Sequence, residues 1–468
     1  MKIKSFMNLC ASMALALASL NAGAANIDAM TARAAANNFL KQQAAVQSGM
    51  FNAPALSDLR LAHAEPSTVV NGANDYYAFN IVGGGWVIVA GEDRAMTVLG
   101  YSDQGSFNFN NLPSNLKALL NGYKSEIEFL QTYKGNDLVI ESAPSIKGSI
   151  GVDPLVKTTW GQEMPYYLQC PKQNGEYCVV GCVATAMAQV MFYWKYPESS
   201  AAISSYYSSG YGNVSALPAT TFEYNKMLLS YCHWDWDNSL LIQDTYTDEQ
   251  AQAVAKLSRY CGQAVQMSYS PDGSGAYTWN QLSAMKNFGY NSQAKSVSKG
   301  SIWSWGSDNY STEEWENMLK TELNAGRPIL YSANDPSAGG HAFICDGYNS
   351  DGYFHFNLGW YGTCDGWYLT TSLKMVHRDG DNLNFSTGHE ILTGVRPPDG
   401  WVPPVYTILG DVNKDGDVTI ADVTALIDYL LNGDATGIDV DAADFDQHDG
   451  VTIADVTALI DYLLNSGE

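Results

Sequence analysis

Fifteen residues near the end of this chain, VTIADVTALIDYLLN at 418–432, recur without change at 451–465. A repeat of that length and fidelity marks a duplicated structural unit. Each copy follows an acidic loop and carries an Ile-Asp-Tyr-Leu-Leu helix. In the first loop Asp411, Asn413, Asp415, Asp417, Thr419 and Asp422 take positions 1, 3, 5, 7, 9 and 12, with Gly416 at position 6. Oxygen donors at this spacing build an EF-hand calcium loop, closed here by Asp where Glu is usual. The second loop keeps Asp444, Asp446, Thr452 and Asp455 in register but has His448 at position 5 and Gly450 at position 7. Calcium is therefore expected at the first loop, and the expectation is weaker at the second. Residues 410–468 read as a small all-α, EF-hand-like domain.

Charge agrees with that reading. The 468-residue chain has a net charge of −24, and residues 410–468 hold 14 acidic side chains against one basic, Lys414. So acidic a chain cannot hold nucleic acid by phosphate neutralisation. The other end reads as an export signal over residues 1–24. Lys2 and Lys4 precede an apolar run at 13–20, and Ala22-Gly23-Ala24 is a small-residue cleavage site. That run is too short to span a bilayer, and no later segment supplies the roughly 18 apolar residues of a transmembrane anchor. A secreted or cell-surface protein is expected.

Between these ends lie two larger regions and a linker. Residues 25–147 begin with alanines and Phe39-Leu40 at helical spacing, continue with strand-like runs at 76–82 and 85–90, and end in a helix pattern at 112–133. Residues 148–397 are rich in Trp, Tyr and Gly and hold five of the seven histidines. Residues 398–409 are a Pro-rich spacer. Apart from Cys10 in the signal and Cys182, six cysteines remain: Cys170, Cys178, Cys232, Cys261, Cys345 and Cys364. Export permits disulfides, but a chain this long does not need them to fold, so thiols and bridges both stay open.

Cys182 stands apart from the others. It follows Gly181 and precedes Ala184, Ala186, Met187, Val190, Met191 and Trp194, apolar at helical spacing. A thiol at a helix N-terminus is expected to have a lowered pKa and to act as a nucleophile. Such a thiol needs a base, a group to orient the base, and donors for an oxyanion. His341 follows Gly339-Gly340 and opens an apolar strand, and Asn357 ends a second strand, so a hairpin can carry both. A tight turn at Ser350-Asp351 would leave the two offset, and a broader loop would set them opposite. His355 is an alternative base, but its aromatic strand reads as core.

These residues resemble the streptopain family of secreted bacterial cysteine peptidases. The likeness is carried by Gly-Cys-Val-Ala-Thr-Ala-Met-Ala-Gln at Cys182, Gly-Gly-His-Ala-Phe at His341, Phe-His-Phe-Asn-Leu-Gly-Trp at Asn357, Thr159-Trp160-Gly161-Gln162 and Pro165-Tyr166-Tyr167. The resemblance implies an α+β, papain-like fold of two subdomains, endopeptidase activity on protein or peptide substrates with no catalytic cofactor, and Cys182 and His341 as the catalytic pair. It implies Gln162 in the oxyanion hole, Gly340 as a backbone contact to substrate, and Ser274 or Gly275 in a substrate-pocket loop. It also implies that residues 25–147 form an α+β inhibitory pro-domain removed near Ser145-Ile146-Lys147. The family pattern leads one to expect Trp after the asparagine. Here Leu358 stands there and Trp360 follows, so the aromatic that shields the histidine–asparagine contact stays open. The repeats resemble a dockerin, which implies docking to a cohesin-like scaffold or a cell surface.

Overall fold

The computed structural model describes residues 26–133 apart from 47–53, then 138–140, then 151–402 apart from 209, 236–239, 300–309, 336–338, 372–374 and 378–388, and finally 409–465 apart from 415–417, 447 and 449. The expected export signal, the expected processing site at 145–147, Asp415 and Asp417 lie outside the described residues.

Two regions of the sequence share one sheet. Its strands are β1 (Leu59–Pro66), β2 (Asn74–Ile81), β3 (Trp86–Ala90), β4 (Val98–Ser102), β5 (Lys295–Ser298), β6 (Ile329–Asp335), β7 (Gly339–Tyr348), β8 (Phe354–Asn357), β9 (Gly366–Tyr368) and β10 (Glu390–Thr393). The spatial order is β1-β2-β3-β4-β9-β8-β7-β6-β10-β5. The seam between the regions is the antiparallel pair β4–β9, with Trp367 opposite Tyr101 and Tyr368 opposite Gly100.

Strand alternation sorts side chains to two covered faces, which is why β2 and β3 read as near-continuous apolar runs. Tyr77, Phe79, Val87 and Val89 meet Ala32, Ala36 and Leu40 of helix α1 (Ala29–Val46). Tyr76, Ala78, Trp86 and Ile88 face the other way, into a cluster with helix α2 (Ser114–Thr132). Leu116, Leu119, Leu120, Tyr123, Ile127 and Leu130 form the apolar stripe of α2. The same cluster holds Tyr331, Phe343, Phe356 and Leu358 from the second region. Helix α2 is thus packed on strands from both.

On the opposite face of β6 and β7, Leu330, Ala342 and Ile344 pack against helix α3 (Cys182–Trp194), which is apolar on nearly every side because the core surrounds it. Helices α4 (Asp248–Ala264) and α5 (Trp279–Asn287) complete that cluster. Helix α6 (Thr312–Asn324) lies with α2, contributing Trp315, Leu319 and Leu323. The C-terminal repeats fold as equivalent helices, Ile420–Asn432 and Ile453–Asn465, around Val412, Val423, Leu426, Val456 and Leu459. Among the described residues no helix is long and apolar enough to cross a membrane. The seven described cysteines are free thiols in this structure.

Candidate active site

Cys182 is the first residue of α3, and Gly181 is its N-cap with φ 87°. Only glycine fits there, because an added methyl would lie 2.8 Å from the Ser274 carbonyl oxygen and from the Met267 side chain. The loop carrying Ser274 is therefore pressed against the residue before Cys182. Ser274 Oγ accepts from the Ser270 amide at 3.0 Å and donates to the Ser270 carbonyl, tying the loop to itself. Gln162 reaches the same place from another direction: its carbonyl accepts the Val180 amide at 2.9 Å. Tyr361 holds that segment from behind, its ring filling the space above Gly161 and its hydroxyl accepting the Glu163 amide at 2.9 Å.

Strand β7 passes close to the thiol. The Ala342 amide donates to Cys182 Sγ at 3.5 Å, so His341 and Gly340 run directly beside it. Ala342 and Ile344 point to α3, and alternation turns His341 to the face of Phe343 and α2. There its Nδ1 lies 3.2 Å from Ser114 Oγ at the start of α2. The next residue, Asn115, is buried and donates to the Leu358 carbonyl at 2.8 Å.

Asn357 ends β8 opposite Ile344, so His341 and Asn357 are offset along the hairpin. A bulge between Cys345 and Gly347 sets this register, a detail that turn chemistry does not reveal. The buried Asn357 amide donates to the Thr158 carbonyl at 2.6 Å, and its Oδ1 accepts from Gln189 at 3.1 Å and from the Gly359 amide at 3.2 Å. Gln189 escaped sequence reasoning. Its signal is a lone amide in an otherwise apolar helix. Leu358, which follows Asn357, is buried in the α2 cluster, and Trp360 packs partly buried against the same cluster.

The expected lowering of the Cys182 pKa is not what this arrangement produces. Burial pushes the thiol up, opposed by the amides of Ala342, Val183 and Cys182. Helix position supplies donors, but desolvation outweighs them. His355, the alternative base, is engaged elsewhere: its Nδ1 is 2.7 Å from Asp346 Oδ1. Burial opposes its charge, yet Asp346, with Asp365 and Asp103, raises its pKa.

Asp365 backs the strand end, accepting the Leu358 amide at 2.7 Å. Burial lifts its carboxyl from 3.8 to about 7, against the pull of that amide and of His355. The unfolded chain loses this proton near its ordinary value while the fold retains it. Stability from this group is therefore lost as pH rises through the window between 3.8 and about 7. Asp365→Asn is expected to raise the melting temperature by a few degrees at pH 8 and leave it unchanged at pH 4. Equal shifts at both pH values would contradict the assignment.

In the C-terminal repeats Asp422 closes the first loop, accepting the amides of Asn413 at 3.0 Å and Thr419 at 2.8 Å. Asp455 does the same for Asp446 and Thr452, at 3.0 and 2.7 Å. Asp444, Asp446 and Asp455 each bring a carboxylate oxygen within 4.8 Å of the others. Asp444 Oδ1 is buried without a hydrogen-bond partner. Clustered hard oxygens and an orphaned carboxylate fit a calcium ion. His448 folds back on the Asp446 carbonyl at 2.6 Å. The second loop thus retains a cation-type donor set despite its altered positions 5 and 7.

A thiol at the head of a buried helix, facing a histidine-bearing strand across the junction of helices and sheet, defines a papain-like cysteine peptidase. The model of the peptidase C10 family, the streptopain family, matches residues 160–368. The Spi protease inhibitor model matches residues 24–127 and the dockerin type I model residues 409–464. Streptopain of Streptococcus pyogenes serotype M1 is 28% identical over 390 residues, covering 78% of this chain and 91% of that protein. The thiol protease/hemagglutinin PrtT of Porphyromonas gingivalis is 29% identical over 351 residues, and the chain spans only 38% of its length. Among solved structures, a fragment of Prevotella intermedia prointerpain A superposes with a TM-score of 0.55 at 28% identity, covering 73% of this chain and 99% of that one. The protein is a streptopain-like cysteine peptidase with a Spi-inhibitor-like prodomain and a dockerin domain.

Proposed function

We propose that this chain is a secreted endopeptidase made as a zymogen, acting through an acyl-enzyme on Cys182 and tethered by its dockerin. The observation that carries the catalytic part is the 3.5 Å approach of the Ala342 amide to Cys182 Sγ, which sets His341 one residue from the thiol. In the mature enzyme the His341 ring, released from Ser114, turns from the α2 face towards Cys182 and takes the thiol proton, and the thiolate attacks the scissile carbonyl. The oxyanion is met by the Cys182 amide, as at any helix N-terminus, and by the Gln162 side chain. His341 then protonates the leaving amine, and water releases the acyl group. Asn357 accepts the imidazole N–H and orients the ring. Gly340 and Ser274, on the strand and loop beside Cys182, contact the substrate backbone, and Trp360 packs behind Asn357.

Zymogen character is supported by Ser114 and Asn115, which occupy the His341 ring and the Leu358 carbonyl. Processing falls near residue 147. The test is kinetic. In the processed enzyme His341→Gln is expected to lower kcat/KM by about 10³-fold or more, and Asn357→Ala by about 10- to 100-fold. A His341→Gln variant with parental activity would overturn the scheme.

For the tail, Asp411, Asn413, Asp415, Asp417 and Asp422, and in the second loop Asp444, Asp446 and Asp455, would hold calcium. The ion would supply the positive charge that holds each acidic loop closed. Docking is supported by equivalent exposed apolar residues on the two repeats: Ile420 at 71% and Ile453 at 72%, Leu431 at 76% and Leu464 at 68%. Similar values at matched positions mean that both helices offer the same surface to a cohesin-like partner. Chelation is expected to lower the melting temperature of the tail and release the partner, without changing kcat. Calcium titration of Asp422→Ala and Asp455→Ala, each losing one binding step, checks both loops, and an unchanged titration would contradict the assignment.

A further inference from the structure

We infer that Tyr277 and Trp279 form an aromatic platform on the rim of the cleft, which receives an aromatic or large aliphatic side chain of the peptide substrate about three to four residues from the scissile bond. The inference rests on the proposed role of Cys182 as nucleophile.

The two rings stack, with centroids 4.1 Å apart and planes 10° from parallel. They nonetheless stay open to solvent, Tyr277 at 65% and Trp279 at 59%. The core does not call for them, because their neighbours Ala276 and Leu282 are the residues that pack against the α3 cluster. Two large rings at the surface, each holding the other in place, lose little freedom when an apolar group settles on them.

Three anchors fix the pair beside Cys182. Upstream, the Ser274 carbonyl presses on Gly181, and Tyr277 follows Ser274 by at most about 10 Å of chain. Downstream, Gln281 Nε2 donates to the Val183 carbonyl at 3.2 Å, which ties the first turn of α5 to the first turn of α3. Between the rings, Thr278 Oγ1 donates to Glu390 Oε2 at 2.9 Å. Glu390 pairs with Ser332 of β6, and Ser332 with Ala342 of β7, whose amide meets Cys182 Sγ. Residues paired across strands share a face, so Glu390 and Ala342 lie on one side of the sheet, two strand spacings or about 10 Å apart. Chain path and sheet row thus agree on a platform about 10 Å from the thiol. An extended peptide advances about 3.3 Å per residue, so a side chain three or four residues from the attacked carbonyl comes level with the rings. The Gln162 segment, held by Tyr361, approaches Cys182 from another direction. The platform is therefore separate from the proposed oxyanion donors and acts on substrate choice alone.

The experiment uses processed enzyme and peptides that share one cleaved core. They differ only in carrying Phe or Gly three or four residues from the scissile bond, on either side. At one of these positions Phe is expected to exceed Gly in kcat/KM by at least about fivefold, chiefly through KM. Trp279→Ala is expected to bring that ratio to within about twofold of one, and Trp279→Phe, which keeps a ring, to retain most of it. The ratio compares two substrates on one enzyme, so partial unfolding of a variant lowers both rates and leaves the ratio unmoved. Should Trp279→Ala not fold at all, Tyr277→Ala serves, with the same loss expected. A parent with no preference for Phe at any of these positions means that the rings serve a partner other than the substrate, and overturns the inference. So does a preference that survives in Trp279→Ala. A parent that cleaves none of the peptides strikes the reading of Cys182 itself, and the inference with it.

Discussion

Cys182→Ala is expected to lower kcat/KM by about 10⁴-fold or more, the scale seen when a covalent nucleophile is removed. Among the described residues no other thiol is placed to substitute. Cys170, Cys178, Cys232, Cys261, Cys345 and Cys364 are all buried. Burial pushes the Cys170 and Cys232 thiols up to about 12 and raises the other four as well. Of the described cysteines only Cys182 is partly exposed and heads a helix. The variant keeps its core, because Cys182 packs at the edge of the α3 cluster rather than within it. The check is peptide hydrolysis by processed Cys182→Ala alongside its melting curve. Substantial turnover by a folded variant would place the chemistry elsewhere.

The second large effect concerns the prodomain. Its loss is expected to raise both peptidase activity and the rate of Cys182 alkylation by at least about 100-fold, as thiolate fraction and access increase together. Contacts at the site and along the sheet must be undone. Ser114 leaves His341, Asn115 leaves the Leu358 carbonyl, and β4 leaves the β9 edge. Cutting the chain near residue 147 does none of these by itself. Leu116, Leu119, Leu120, Tyr123, Ile127 and Leu130 still pack on Phe343, Phe356 and Leu358. Each such buried side chain contributes about 1.5–3 kcal/mol. A nicked chain is therefore expected to co-elute with its prodomain and stay inactive until the prodomain is separated or degraded. Full activity on nicking, with the fragments still associated, would contradict this.

Much of the site was legible because its signals are local. A glycine before an apolar helix, a Gly-Gly-His opening a strand and an asparagine ending the next strand are each set by a few adjacent residues. The same holds for α1 and α2, where the helical pattern at 112–133 matches Ser114–Thr132. What was not legible links distant residues. Pairing of β4 with β9 joins Gly100 to Tyr368, and nothing in either strand names its partner. The contact of Ser114 with His341 spans 227 positions. The offset of His341 from Asn357 depends on a bulge, which adds a residue to one strand without a turn signal. The thiol of Cys182 shows a different limit. Helix position fixes its amide donors, but desolvation depends on tertiary packing around the thiol, which the local sequence does not reveal. Gln189 was visible as a polar interruption, but its hydrogen bonds to Thr158, Trp160 and Asn357 link residues far apart in the chain.

The most direct measurement is a peptide map after brief iodoacetamide treatment at pH 6, before and after removal of residues up to about 147. The account expects carboxamidomethyl label on Cys182 alone, and only in the processed enzyme. Equal labelling of Cys182 in the unprocessed chain, or label on another cysteine of an active enzyme with Cys182 untouched, would contradict it.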